Sequence, residues 1–227
     1  MSSRAVTIVV QLAALYFSIS FHESAHAWVA LKFGDPTARD LGRISLNPLR
    51  HIDPFGTVLL PLLGLFLGGG IFGYAKPTPV NLRNTARPRL ANFWVSLAGP
   101  GSNAVVVAGS VLLLLGIARI SPSTVDGVLH GVAEPGILAP LAFVLLQLVI
   151  INLILGLFNL IPIPPLDGSG VLFSLLGRRG MALEFFFHRN AMLMFILIFV
   201  LMYLGFFGMI LTPVLRSVLG IIERGLS

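Results

Sequence analysis

The chain has 227 residues, 56% of them hydrophobic and 11% charged, with a net charge of +6 and no cysteine. Soluble domains carry about 25% charged residues, so this composition excludes disorder, a nucleic-acid-binding module and an ordinary cytosolic enzyme. The lack of cysteine excludes disulfides, thiolate metal sites and thiol nucleophiles. A mean hydropathy of +0.94 predicts an all-α polytopic membrane protein, in which the positive balance reflects basic cytoplasmic loops rather than nucleic-acid binding.

The apolar runs follow in chain order. Residues 5–32 are long enough to cross a hydrocarbon core, which takes about 20 residues, yet they contain His22, Glu23 and His26. This run is longer than the apolar part of a signal peptide and reads as an uncleaved spanning helix. Residues 55–74 form a second run, broken by Pro61, Gly64 and the triplet Gly68, Gly69, Gly70. The third run, 91–117, carries Ala98-Gly99-Pro100-Gly101-Ser102-Asn103. The fourth, 137–163, ends in proline-rich sequence; a fifth covers 191–211, followed by a short apolar tail at 214–222. Residues 168–176 are too few to cross alone. The expectation is one membrane-embedded domain over 1–227, with core helices at 5–33, 91–118 and 137–163 and C-terminal helices within 191–222.

Basic residues orient these runs. Lys32, Arg39, Arg43 and Arg50 lie in 32–53, Lys76, Arg83, Arg87 and Arg89 in 75–90, and Arg178, Arg179 and Arg189 in 177–190. Residues 118–136 hold Arg119 against Asp126 and Glu134. The positive-inside rule places the first three stretches in the cytoplasm and the last outside. Both flanks of 55–74 then become cytoplasmic, so this run is expected to be re-entrant, with a single crossing as the alternative.

His22-Glu23-Ser24-Ala25-His26 is an H-E-x-x-H motif. Residues four apart share a helix face, so both imidazoles can hold one metal ion while Glu23 handles a water proton. A rise of about 1.5 Å per residue puts His22 about 26 Å along a helix starting at Ala5. That depth is just inside the cytoplasmic boundary. A catalytic zinc takes three protein ligands and keeps a position open. Asp167, at the cytoplasmic end of the fourth run, lies at the same level and is the outstanding third candidate. An isolated intramembrane acid costs about 2.5–3.5 kcal/mol on insertion scales, and a shared ion offsets that cost. Alone, Asp167 before Gly168 would read as a turn acid. His51 reads as a structural or surface histidine, with an accessory polar role near the cavity as the alternative. His130 and His188 read as loop histidines, and Gly99, Pro100, Gly101 and Asn103 as tight helix packing.

With these motifs in place, the sequence resembles the site-2 protease family of intramembrane zinc metalloproteases. The resemblance rests on the H-E-x-x-H of 22–26, on Asn159, Pro162 and Leu166-Asp167-Gly168, and on the small-residue segment 98–103. Gly42-Arg43-Ile44-Ser45-Leu46-Asn47-Pro48, His51-Ile52-Asp53-Pro54 and Gly73-Tyr74-Ala75-Lys76-Pro77-Thr78-Pro79-Val80 look like its compact bacterial and archaeal branch lacking a PDZ domain. The resemblance implies one zinc ion held by His22, His26 and Asp167, with Glu23 as general base. It further implies that Asn159 hydrogen-bonds the substrate backbone or the developing oxyanion. The implied substrates are transmembrane segments of membrane proteins, cut within or near the bilayer close to its cytoplasmic face, in a multi-pass protein of the cell membrane. An unwound substrate strand would pair with the proline-extended stretch containing Tyr74, Ala75, Lys76 and Pro77. A metal-ion or proton transporter using the same His/Asp set is the rival reading, and a proteolytically silent scaffold for membrane helices a weaker one.

Overall fold

The computed structural model describes residues 3–51, 53, 76–132 and 136–226. The run 55–74, together with Tyr74 and Ala75, lies outside these residues. Among the described residues the architecture is all-α, with four helices long and apolar enough to cross a membrane. They are α1 (Ser3–Lys32), α3 (Pro88–Ile120), α5 (Leu138–Asn159) and α9 (Phe206–Arg224). A short α2 (Thr37–Asp40) follows α1. Between the long helices lie α4 (Pro122–His130), α6 (Asp167–Leu176), α7 (Arg178–Arg189) and α8 (Ala191–Tyr203). The last two meet at 85° and count as a fifth span only if taken together.

The ends follow from local chemistry. α1 holds no proline or glycine and stops at Gly34, whose φ of 100° closes the turn. α3 and α4 each begin with proline at the first helical position, where the missing N–H costs nothing. α4 ends at Gly131 in the left-handed conformation. α5 ends at Asn159, a few residues short of 163, because Pro162, Pro164 and Pro165 cannot continue a helix. The expected loops 118–136 and 177–190 contain α4 and α7. Each is too short or too charged to register as a spanning run, yet each is long enough to fold once packed or set at a membrane surface.

Three helices make the core. His22 meets Asn103 and His26 meets Val95, so α1 and α3 run antiparallel. Gln11 meets Gln147 and Ser18 meets Asn152, so α1 and α5 run parallel. One half of this bundle is apolar: Val107, Leu114, Ile117 and Ala118 of α3 close on Val125, on Ala142, Leu145 and Val149 of α5, and on Ile222. The other half contains the motif residues. There α6 lies along the start of α3, clamped by Asn92, which donates to the Gly170 carbonyl and to Ser174 Oγ (3.3 and 3.0 Å). Arg89 caps the last turn of α6 by donating to the carbonyls of Ser174 and Leu175. Gly170 permits this approach, since a Cβ there would collide with Ser96. These clamps carry Asp167, in the first turn of α6, to the motif face of α1.

Candidate metal centre

The structure brings His22, His26 and Asp167 together from helices α1 and α6, with their ligand atoms within 4.8 Å of one another. His22 Nε2 lies 3.1 Å and His26 Nε2 3.4 Å from Asp167 Oδ2, and the two Nε2 atoms are 3.0 Å apart. Both histidines are buried. His26 Nδ1 sits 2.6 Å from the Val95 carbonyl, which can only accept, so Nδ1 carries the proton. His22 Nδ1 faces Asn103 Oδ1 at 2.7 Å in the same sense. Each Nε2 therefore presents a lone pair. Asp167 Oδ2, buried and without a hydrogen-bond partner, is a third acceptor.

Three acceptors crowded together with no donor among them repel unless a cation sits between them. Metal–nitrogen and metal–oxygen bonds of about 2.0–2.1 Å in a tetrahedron put ligand atoms about 3.3–3.4 Å apart. The observed separations of 3.0, 3.1 and 3.4 Å lie within about 0.4 Å of that spacing, and three such ligands would leave the fourth position open. Gly99 forms the wall of the cradle: a Cβ on it would lie 2.5 Å from both Nε2 atoms. Gly99 thus packs against the two imidazoles themselves, which is more specific than the helix packing its sequence context predicts.

The turn leading to Asp167 is built by short backbone bonds, among them Leu166 N–H to the Ile163 carbonyl (3.0 Å) and Ser169 N–H to the Leu166 carbonyl (3.1 Å). Gly168 lets the turn fold against α5, because a Cβ there would strike the carbonyls of Leu160 and Ile161. The Leu-Asp-Gly sequence is thus a tight turn that delivers a candidate metal ligand. Asn159 is half-buried at the end of α5, and its amide donates to the Leu155 carbonyl at 2.9 Å. One of its two N–H groups remains for another partner.

Glu23, next to His22 in the motif, is held by an extended segment. The backbone N–H of Thr78 donates to Glu23 Oε2 at 2.8 Å, and Thr78 Oγ1 donates to the Glu23 carbonyl at 3.0 Å. Lys76 and Pro77, exposed, lead into this contact, and Lys76 N–H donates to the His51 carbonyl at 3.0 Å. His51 is fully buried, its Nε2 donating to the Ser45 carbonyl at 2.8 Å, and that carbonyl also accepts from Ser24 Oγ at 2.7 Å. His51 is therefore a structural pin between the loop after α1 and the segment lying on Glu23. Asp35 plays a similar part. Fully buried, it accepts from Thr37 N and Oγ1, Asn81 N and Asn84 Nδ2, tying the end of α1 to the approach to α3. Burial alone would raise its pKa, but these hydrogen bonds, led by that of Thr37, hold the carboxyl below the usual carboxylate range. Thr78, Asn152 and Asp35 carry no sequence assignment, and Asn103, read from sequence as helix packing, faces His22 instead; a polar residue within an apolar run is the one signal that marks both asparagines.

The comparisons with known proteins agree with this geometry. A model described as Peptidase family M50 matches residues 110–203, which include Asn159 and Asp167. The chain is 41% identical over 158 residues to a Bacillus subtilis protein named "Putative zinc metalloprotease YwhC", an alignment spanning 70% of this chain and 65% of that one. It is 36% identical over 166 residues to "Putative zinc metalloprotease Rip2" of Mycolicibacterium smegmatis and 34% identical over 165 to its namesake in Mycobacterium tuberculosis. Each of those alignments spans 72% of this chain and 56% of the mycobacterial protein, so the chain spans less than two thirds of the curated relatives it matches. No solved structure matches. Sequence comparison and side-chain geometry thus converge, and the chain carries a domain of peptidase family M50, the family of the site-2 proteases.

Proposed function

We propose that this chain is an intramembrane zinc metalloprotease that cuts membrane-protein substrates within or near their transmembrane segments. The observation that carries the reading is the convergence of three acceptors, His22 Nε2, His26 Nε2 and Asp167 Oδ2, at tetrahedral ligand spacing beside a glutamate of the same motif. In this reading His22, His26 and Asp167 hold one zinc ion. When bound, zinc supplies Lewis acidity toward the scissile carbonyl and toward a water. Glu23 takes the water proton and returns it to the leaving amine. The Thr78 N–H, bonded to Glu23 Oε2, orients that carboxylate. Asn159 uses its remaining N–H to stabilise the oxyanion or hold the substrate backbone. Lys76 and Pro77 form the edge against which an unwound substrate strand lies; Tyr74 and Ala75, which the sequence groups with them, lie outside the described residues.

The side of the membrane follows from charge. The motif end of the bundle holds Lys32, Arg39, Arg43, Arg50, Lys76, Arg83, Arg87 and Arg89, so the site opens toward the cytoplasm. A transporter is not favoured. Beyond Asn152 along α1 and α5 the paired polar side chains Gln11 and Gln147 are neutral, and the relatives carry the name "Putative zinc metalloprotease". A Glu23→Gln variant should retain its metal and lose cleavage of a reporter transmembrane peptide by about 100-fold or more, the range for a general base. Cleavage at the wild-type rate by this variant would overturn the role of Glu23.

A further inference from the structure

Asn103 and Asn152 are each 1% exposed, one on α3 and one on α5, in a bundle whose other interior contacts are mostly apolar. Their orientation can be derived from one group that has no choice. The Leu148 carbonyl only accepts, so the Asn152 nitrogen 2.8 Å from it must donate, which turns Asn152 Oδ1 the other way. The second N–H of Asn152 goes to Ser18 Oγ at 2.7 Å, and Ser18 passes its own proton to the Ala14 carbonyl at 2.7 Å. Asn152 Oδ1 then faces Asn103 and must receive its Nδ2, 3.1 Å away. That leaves Asn103 Oδ1 facing His22 Nδ1. His22 must therefore carry its proton on Nδ1 and keep the Nε2 lone pair free.

We infer that Asn152 and Asn103 are positioning residues that set the tautomer of His22, through an amide relay running from the α5 backbone across α3 to α1. The inference rests on the metal-site reading above. A reversed Asn103 amide would offer an N–H to His22 Nδ1, move the imidazole proton to Nε2 and cover the lone pair that a metal needs. Asn152 prevents that reversal without touching His22. The relay uses neutral amides, so it holds one imidazole tautomer without adding charge to the centre of the bundle.

The test measures zinc affinity by chelator competition at one fixed pH, on the full chain purified in detergent, beside His22→Ala. Asn152→Ala frees the Asn103 amide to turn and should weaken zinc binding at least about tenfold, within the range for losing an outer partner of a ligand histidine. Asn103→Asp presents an oxygen to Nδ1 whichever way it turns and, as the neutral acid, donates its O–H to Asn152 Oδ1, so it should stay within about threefold of wild type. The double variant Asn103→Asp/Asn152→Ala should recover the Asn103→Asp affinity. Wild-type affinity in Asn152→Ala, or a double variant as weak as Asn152→Ala alone, overturns the inference, the second result assigning Asn152 to packing only. Should Asn152→Ala not fold, Asn103→Leu beside Asn103→Asp carries the same contrast, and equal affinities in that pair overturn the inference. Zinc bound by wild type and lost in His22→Ala keeps the metal reading standing when the relay fails; a wild type that binds no zinc removes both.

Discussion

The two halves of α3 solve different problems. From Asn92 to Asn103 the helix meets its neighbours through small and polar groups placed to fit particular atoms. Gly99 lies against two imidazoles, the Val95 carbonyl takes His26 Nδ1, and Asn103 holds His22. From Val107 to Ala118 it meets them mainly through valine, leucine, isoleucine and alanine, with Ser110 a buried polar exception, and Gly109 and Gly116 have open space where a Cβ would go. One half is specified atom by atom; the other only needs to be apolar and about the right size. Tolerance to substitution should therefore change sharply along a single helix.

The largest effect should come from glycine-to-alanine changes placed on either side of that divide. Gly99→Ala puts a methyl 2.5 Å from both Nε2 atoms and should lower zinc affinity by about 100-fold or more. Gly109→Ala and Gly116→Ala should leave affinity within about twofold, while gaining up to about 1 kcal/mol of helix propensity. Equal losses in both halves, measured by chelator competition, would erase the distinction.

A smaller effect separates the site from its supports. Thr78→Pro removes the N–H bonded to Glu23 Oε2 and should cut the cleavage rate by about 10- to 100-fold with the metal retained. Thr78→Val keeps that N–H, losing the hydroxyl alone, and should cost less than about tenfold. A proline variant as active as wild type would detach the 76–80 segment from the work of Glu23.

The smallest effect concerns the loop frame. Asp35→Ala leaves several donors unpaired and should destabilise the fold by about 1–3 kcal/mol near neutral pH. Because the folded-state pKa of Asp35 is depressed, its contribution is fully present above the unfolded value of about 3.9. It is lost as pH falls through the folded value, so wild type and variant should converge in strong acid. A difference in detergent melting that does not shrink there would contradict this account of Asp35.

The residues of the candidate metal centre are legible in the sequence because their chemistry conflicts with their surroundings. His22, Glu23 and His26 inside an apolar run, and an aspartate at the matching depth of another, are costly unless they share a purpose. The three core helices are legible for the same reason that composition excluded a soluble fold. The relay was out of reach. Asn103 and Asn152 are 49 residues apart on different helices, and no local period links them. Asn103 also stands among glycines and serines, where helix packing is the natural expectation, and it took the packed bundle to show its side chain facing His22. Thr78 meets Glu23 across 55 residues through its backbone, which carries no residue-specific signal. Hydropathy finds elements that cross a membrane and passes over those beside it, which is why α4 and α7 are not legible in the sequence.

X-ray absorption at the zinc edge, on the purified full chain and its Asp167→Ala variant, tests the central claim most directly. The account requires one zinc per chain with two imidazole nitrogens and a carboxylate oxygen in wild type, and loss of the oxygen ligand with much weaker retention in the variant. A wild type that takes up no zinc, or a coordination shell unchanged by Asp167→Ala, would contradict it.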